Sequence, residues 1–300
     1  MQKIQYSIDY VYISSTSLPG TYAVGVDGWA DDPYYPAAQS FVIKIPRNPV
    51  AANSTSETPF GLGTSGILLN GVALYNANDG NSYNDSGFWY RNAYFFEGYS
   101  FDNCVGHPSV GSGTVITGLY HHHALPICFD NANSTSGHSP LLGYALDGFP
   151  IYGPYGYSDP MNSTSDVVLL NSSYYAGTYA NGQRTTYGNG TTITDPTNYG
   201  PSEVETYQLN SLDSTSFVNL SSGAFLYDYI FDSTYGDLNA FNGRFQVTPE
   251  YPLGIFCYIF TSDYPYLFGP GNYYGVVAST ATTNSIDEPV TDYFDYNASG

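Results

Sequence analysis

All five histidines of this 300-residue chain, His107, His121, His122, His123 and His138, lie between Phe101 and Gly156. Imidazole is the commonest metal ligand and the usual acid or base near neutral pH, so any chemistry is expected in this stretch. His121 and His123 are two apart. On a strand such residues point to the same side, so both rings would face one space while His122 faces away, outward. His107 and His138 flank the pair and are the candidate third and fourth ligands. A nitrogen-rich set of this kind suits Zn or Cu. The same rings could instead hydrogen-bond backbone and tyrosine hydroxyls in a polar core, and spacing alone leaves both readings open.

Two kinds of neighbour could position these histidines. Asp147, in the run Leu146-Asp147-Gly148-Phe149-Pro150, either shapes a tight bend or orients an imidazole from behind. Asp102 is a second candidate for the orienting role and Asp237 a lesser one. Cys104 and Cys128 bracket His107 and the triple-histidine run. In an extracellular protein they would form a disulfide closing a loop of about 25 residues and contributing roughly 3 kcal/mol. The rival reading, thiolate metal ligation, lacks a Cys-X-X-Cys pair. Cys257 sits in a strand-like run, Gly254–Thr261, and reads as a buried free thiol.

Catalytic signatures are missing. There is no Gly-X-Ser-X-Gly elbow, and no His-Glu-X-X-His helix, Walker loop or dinucleotide fingerprint. A glycosidase carboxylate pair leaves no local mark. No residue is therefore assigned a catalytic role, and a metal hydrolase or copper oxidase built on the histidines ranks below a non-enzymatic reading.

The elements that must carry these residues are strands. The chain has 33 Tyr, 32 Gly and 19 Pro, and Tyr, Val, Thr and Phe favour strands while Gly and Pro punctuate turns. No long run has helical period, so the fold class is mainly β: a β-sandwich-like (Ig-like) domain with long irregular loops. Lys3–Tyr12 alternates strictly, with Ile4, Tyr6, Ile8, Tyr10 and Tyr12 on one face. It reads as one long amphipathic strand. Residues 1–20 are taken as an N-terminal strand arm, 21–280 as the β domain and 281–300 as a polar C-terminal tail. The arm's strand must pair, either within its own domain or with a neighbouring subunit; the second option is strand donation, which would make the protein a homopolymer. Phe41–Ile45 reads as a compact strand, and Gly66–Tyr75 as a hairpin turning at Asn70-Gly71. Phe88–Phe96, with six aromatics, reads as core, and Asp159–Gly200 as a polar insertion outside the core.

The formal charge is −20, from 26 acidic and 6 basic side chains. Such a surface repels nucleic acid and anionic membranes, and no run reaches membrane-spanning length. Met1–Tyr12 lacks the apolar core of a secretory signal. Eight Asn-X-Ser/Thr triplets, headed by Asn53, Asn84, Asn133, Asn162, Asn171, Asn189, Asn219 and Asn297, exceed the roughly four that composition alone would give. They point to N-linked glycans and an extracellular or cell-surface location.

The central stretch resembles the YHYH-domain family, named for a Tyr-His-Tyr-His tetrad. Tyr120, His121 and His123 match the tetrad, and His122 stands where the second Tyr belongs. Asp102–His107, Pro126-Ile127-Cys128, His138-Ser139-Pro140 and Gly143–Pro154 match on the flanks, with further matches at Gly236-Asp237-Leu238, Asn242-Gly243-Arg244, Thr248–Pro252 and Tyr264-Pro265-Tyr266. The resemblance covers roughly residues 40–275. It implies a secreted or surface protein and names no reaction. Two functional expectations result. The first is a secreted, N-glycosylated structural protein that self-assembles into a fibre or surface layer by strand donation. The alternative is a secreted protein or metal-dependent enzyme binding Zn or Cu through the histidine cluster.

Overall fold

The computed structural model describes residues 3–22, 24, 34–109, 117–209, 217–279, 281–283, 285–286 and 288–292. Thirteen strands form its two principal sheets: β1 (Lys3–Tyr6), β2 (Tyr10–Ser15), β3 (Phe41–Pro46), β4 (Thr64–Leu68), β5 (Ala73–Tyr75), β6 (His107–Pro108), β7 (Tyr120–His122), β8 (Leu141–Ala145), β9 (Pro150–Tyr152), β10 (Gly243–Gln246), β11 (Ile255–Ile259), β12 (Thr282–Thr283) and β13 (Thr291–Asp292). The smaller sheet runs β12-β3-β2-β1-β13, and the larger, of eight strands, runs β10-β11-β9-β8-β4-β5-β7-β6. The fold is mainly β and sandwich-like: Ile13, Ile43 and Ile45 of the smaller sheet share one apolar core with Ile67, Leu74, Leu142, Ile151 and Phe256 of the larger. Most larger-sheet pairings are antiparallel, but β5–β7 and β9–β11 are parallel.

The expected long N-terminal strand is a hairpin. Ser7 N–H donates to the Tyr10 carbonyl at 2.9 Å, and Ser7 Oγ accepts from Tyr10 N–H at 3.1 Å. A short hydroxyl side chain offers the backbone this local alternative to a sheet ladder, and it leaves Ile8 82% exposed at the bend. Period-two alternation continues through such a turn, so it could not reveal the break. β1 lies between β2 and β13, and β2 between β1 and β3. The Asn70-Gly71 hairpin forms as expected, joining β4 to β5 with Gly71 at φ 89°, a conformation glycine adopts without a Cβ clash.

Asp159–Gly200 is not outside the core. Tyr179 and Ile193 pack with Trp89, Phe96, Leu220 and Phe225 in a second apolar cluster. At its heart Arg184, 1% exposed, donates Nε–H to Asp228 Oδ1 at 2.8 Å and Nη2–H to Asp228 Oδ2 at 3.0 Å. Two of its three remaining donors reach the Pro201 and Ser221 carbonyls. A buried bidentate pair keeps its charges only when most donors are matched. Polar composition hid this region because its apolar residues are few and spaced irregularly.

Asp147 fills the turn between β8 and β9. It is fully buried; Oδ2 accepts from the Tyr258 hydroxyl and Gly275 N–H, and Oδ1 from Phe149 N–H. It orients a tyrosine and two strands' ends, not an imidazole, so the orienting role expected of it is corrected to the turn-forming one. Burial pushes its carboxyl up to about 6, against the pull of those donors.

Two expectations test this packing. Arg184→Met should cost about 3–5 kcal/mol in chemical denaturation, because it strands the Asp228 charge. For Asp147 the folded state holds a proton that the unfolded chain releases near its ordinary value, so the associated stability is complete below about pH 4 and is lost as pH rises through 6. Its contribution is roughly 3 kcal/mol, and Asp147→Asn should flatten the stability–pH curve by that amount between pH 4 and 7.

Candidate metal centre

His107 and His121 sit directly opposite each other on the antiparallel pair β6–β7, which puts their side chains on one face of the sheet. His123, two residues past His121, returns to that face. The fourth member comes from elsewhere. α1 (Ala93–Glu97) is a five-residue helix capped by Asn92, whose side chain accepts from Tyr94 N–H. It ends on Glu97 beside the three rings. His107 Nε2 lies 3.1 Å from His121 Nε2, and His121 Nε2 lies 3.0 Å from His123 Nε2. Glu97 Oε2 lies 3.1 Å from His123 Nε2 and 3.5 Å from His107 Nε2. All four atoms fall within 4.8 Å of one another.

The protons of these rings are fixed by their other nitrogens. His121 Nδ1 donates to the Leu119 carbonyl at 3.1 Å, and His123 Nδ1 to the Asn76 carbonyl at 2.6 Å. His107 Nδ1 is 2.8 Å from Ser100 Oγ, whose single hydrogen is committed to the Glu97 carbonyl at 2.7 Å. Ser100 therefore accepts, and His107 Nδ1 also carries its hydrogen. In a neutral imidazole the other nitrogen is then a bare lone pair. Three lone pairs and a carboxylate oxygen thus face one another, each 3.0–3.5 Å from two of the others. Glu97 Oε2 is buried with no hydrogen-bond partner among the described residues.

Burial keeps His107 and His121 from relieving this by protonation. It pushes His107 down to about 3 despite the nearby Glu97 charge, and pushes His121 well below the ordinary imidazole range with the help of its two ring neighbours. For Glu97 burial works upward, but the nearness of His123, with His107 and Arg91, brings it below the ordinary range. A single proton on His123 would satisfy Glu97 and still leave the His107 and His121 lone pairs opposed. A cation satisfies all four. Ligand atoms about 2.0–2.1 Å from a tetrahedral ion lie about 3.3 Å apart; four of the six separations here are 3.0–3.5 Å, and all six are within 4.8 Å. This buried Glu/His3 cluster can hold a metal ion.

The surroundings fix the rings as metal sites require. Tyr75 of β5 stacks on His121 with centroids 3.8 Å apart. The Asp102–His107 loop is held by Asp102 Oδ1, which accepts from Cys104 and Gly106 N–H, and by a Cys104–Cys128 disulfide. Val105 in that loop has φ 65°, unusual for a β-branched residue and costing of order 1–3 kcal/mol. Its carbonyl accepts from His122 Nδ1 at 2.8 Å. All four cluster residues line a cleft of about 820 Å³ that also exposes Asp79, a carboxyl pushed up to about 7 by burial.

Three of the four expected ligands therefore meet. His138 does not join them: its Nδ1 donates to the Ser139 carbonyl and its ring packs on Tyr152 and Tyr157. It leads into β8, three places along the sheet from β7, or about 14 Å at normal strand spacing. His122 does face away from the cluster but not outward. It is 0% exposed, and Nε2 accepts from the Tyr22 hydroxyl at 2.7 Å. Asp102 touches no imidazole: Oδ2 accepts from the Tyr120 hydroxyl at 2.8 Å, so it positions the loop and the tetrad tyrosine. Asp237 accepts from Asn171 N–H. Cys104 and Cys128 pair with each other, as expected, and Cys257 is buried and free, its thiol pushed up to about 12 by burial. Glu97 escaped sequence reasoning. The signal available was that it is the only glutamate between residues 58 and 202, set among aromatics ten residues before His107.

The family model described as YHYH protein matches residues 42–269. The chain belongs to the YHYH family. No curated protein and no solved structure matches it. Within this YHYH protein the tetrad splits by function. Its two matching histidines, His121 and His123, face the cluster. Tyr120 and the departing His122 serve the scaffold through Asp102, Val105 and Tyr22. The departure leaves the ligand set intact. No helix among the described residues is long and apolar enough to cross a membrane.

The disulfide closes the loop that carries His107, and its removal tests how far the scaffold holds that ring. Cys104→Ser with Cys128→Ser should cost about 3 kcal/mol in urea unfolding. It should also weaken metal binding measured by competition with a chromogenic chelator, since the strained Val105 turn loses its tether.

Proposed function

We propose that this YHYH protein is a secreted, N-glycosylated metal-binding protein that holds one divalent transition ion, of the Zn or Cu(II) class, through Glu97, His107, His121 and His123. The observation that carries this reading is the set of three Nε2 atoms gathered at about 3 Å beside the buried Glu97 Oε2. Three imidazoles and a carboxylate suit either ion. Four protein ligands complete a tetrahedral shell, the pattern of ions that brace a fold. The ion would tie β6, β7, the residue after β7 and α1 together, elements otherwise linked by short ladders.

Secretion is supported by the disulfide, which persists in oxidising compartments. It is supported also by the sequons: Asn53, Asn84, Asn133, Asn162, Asn171, Asn189 and Asn219 are all exposed, and Asn297 lies outside the described residues. Strand donation by the N-terminal residues forms no part of this reading, because both edges of β1 and of β2 are taken by strands of the same chain.

Elemental analysis after dialysis against Zn or Cu(II) should find one ion per chain. His121→Ala should lose it and His138→Ala should keep it. At a thousandfold excess of free ion over Kd, the bound ion should raise the Tm by about 7 °C, and chelation should reverse this. A chain that retains no stoichiometric ion and whose Tm ignores chelators would remove the proposal.

A further inference from the structure

A second cavity, of about 490 Å³, shares no lining residue with the metal cleft. Half of its twelve lining residues are tyrosines, and Asn171, Ser222 and Asp263 are among the rest. It is built on the antiparallel strands Tyr174–Ala176 and Tyr229–Phe231. Its inner rings have spent their faces on one another. Tyr229 and Tyr264 stack at 3.6 Å with planes 9° apart, Tyr174 meets Tyr264 edge-on, and Tyr266 stacks on Tyr94. A cage for an organic cation needs open ring faces, and the inner cavity does not offer them. What it offers is edges and polar atoms, including Tyr264, whose buried hydroxyl has no hydrogen-bond partner among the described residues. Among the lining tyrosines only Tyr235 is largely exposed, at 63%; it lies 4.8 Å from Tyr175 with planes at 41°.

We infer that this cavity binds a neutral saccharide unit. A sugar ring presents both things the site asks for: a C–H face for Tyr175 and Tyr235, and hydroxyls for Ser222 and Asp263. Tyrosine suits such a ligand because one end is apolar and the other polar, and a few placed polar groups among aromatics are the usual make-up of a ligand pocket. No Lys or Arg lines the cavity and Asp263 does, so an acidic sugar would be repelled. The saccharide has two possible sources, a free oligosaccharide or a glycan carried by Asn171, which is itself an exposed sequon asparagine on the rim.

The test is an NMR titration of the full chain, secreted from a glycosylating host, with chitotriose and with mannotriose, alongside Asn171→Gln from the same host. Saturable binding by both proteins supports a free ligand, and binding by Asn171→Gln alone supports occupation by the Asn171 glycan. In either case Tyr235→Ala and Tyr175→Ala, made in the background that binds, should weaken binding roughly two- to tenfold, and the Tyr175 and Tyr235 ring resonances of the protein that binds should shift. Tyr235 is exposed enough for its variant to keep the parent's melting curve, which is the check on folding. Absence of saturable binding in both proteins overturns the inference, as does binding that leaves those two rings unmoved and both variants unweakened.

Discussion

The structure depends on where three protons go. His107, His121 and His123 each give the Nδ1 hydrogen to an acceptor outside the cluster, Ser100 Oγ or a backbone carbonyl. Their Nε2 lone pairs are thereby turned on one another and on Glu97. In a buried setting this arrangement is costly by itself, because like lone pairs and a carboxylate oxygen repel strongly where water does not screen them. The scaffold nonetheless enforces it from several directions. The β6–β7 register sets two rings opposite, Tyr75 fixes one ring plane, and the Glu97–Ser100 turn supplies both a carboxylate and the hydroxyl that orients His107. So many constraints aimed at one repulsive contact make sense when a cation occupies the centre.

The rest of the chain serves as a stiff frame around that contact. The inter-sheet core anchors β4, β5 and β7, and so Tyr75 and His121. The second cluster, with Trp89 and Phe96 packed around the Arg184–Asp228 pair, anchors the segment that ends in Glu97. The Glu97/His107/His121/His123 cluster joins elements belonging to the two packing centres. The surface charge of −20 leaves anions repelled and cations drawn in, which favours loading an interior cation site from dilute solution.

The sequence disclosed the alternating histidines because strand periodicity is local: His121 and His123 share a face whatever the rest of the chain does. His107 could be guessed from proximity, and the disulfide from the cysteine bracket. Proximity failed for His138, since a chain leaving β7 can enter the sheet at any position and does so three strands away. Glu97 was hidden because its meeting with the rings is tertiary, set by a short helix that propensity alone does not predict. Asp147 looked equally able to orient a ring or to shape a turn, and only its contacts with Tyr258, Phe149 and Gly275 decide between them. The N-terminal alternation identified strand residues correctly but not the Ser7 turn that folds them into a hairpin. Mainly β class, by contrast, followed from composition, because Tyr-rich runs cut by Gly and Pro have few other stable solutions.

The most direct test of the central claim is anomalous diffraction from crystals of the metal-loaded protein, recorded on either side of the absorption edge of the ion supplied. The account predicts one peak per chain, about 2.0–2.2 Å from His107 Nε2, His121 Nε2, His123 Nε2 and a Glu97 oxygen. A map with no peak there, or with the ion bound only to surface carboxylates, would contradict it.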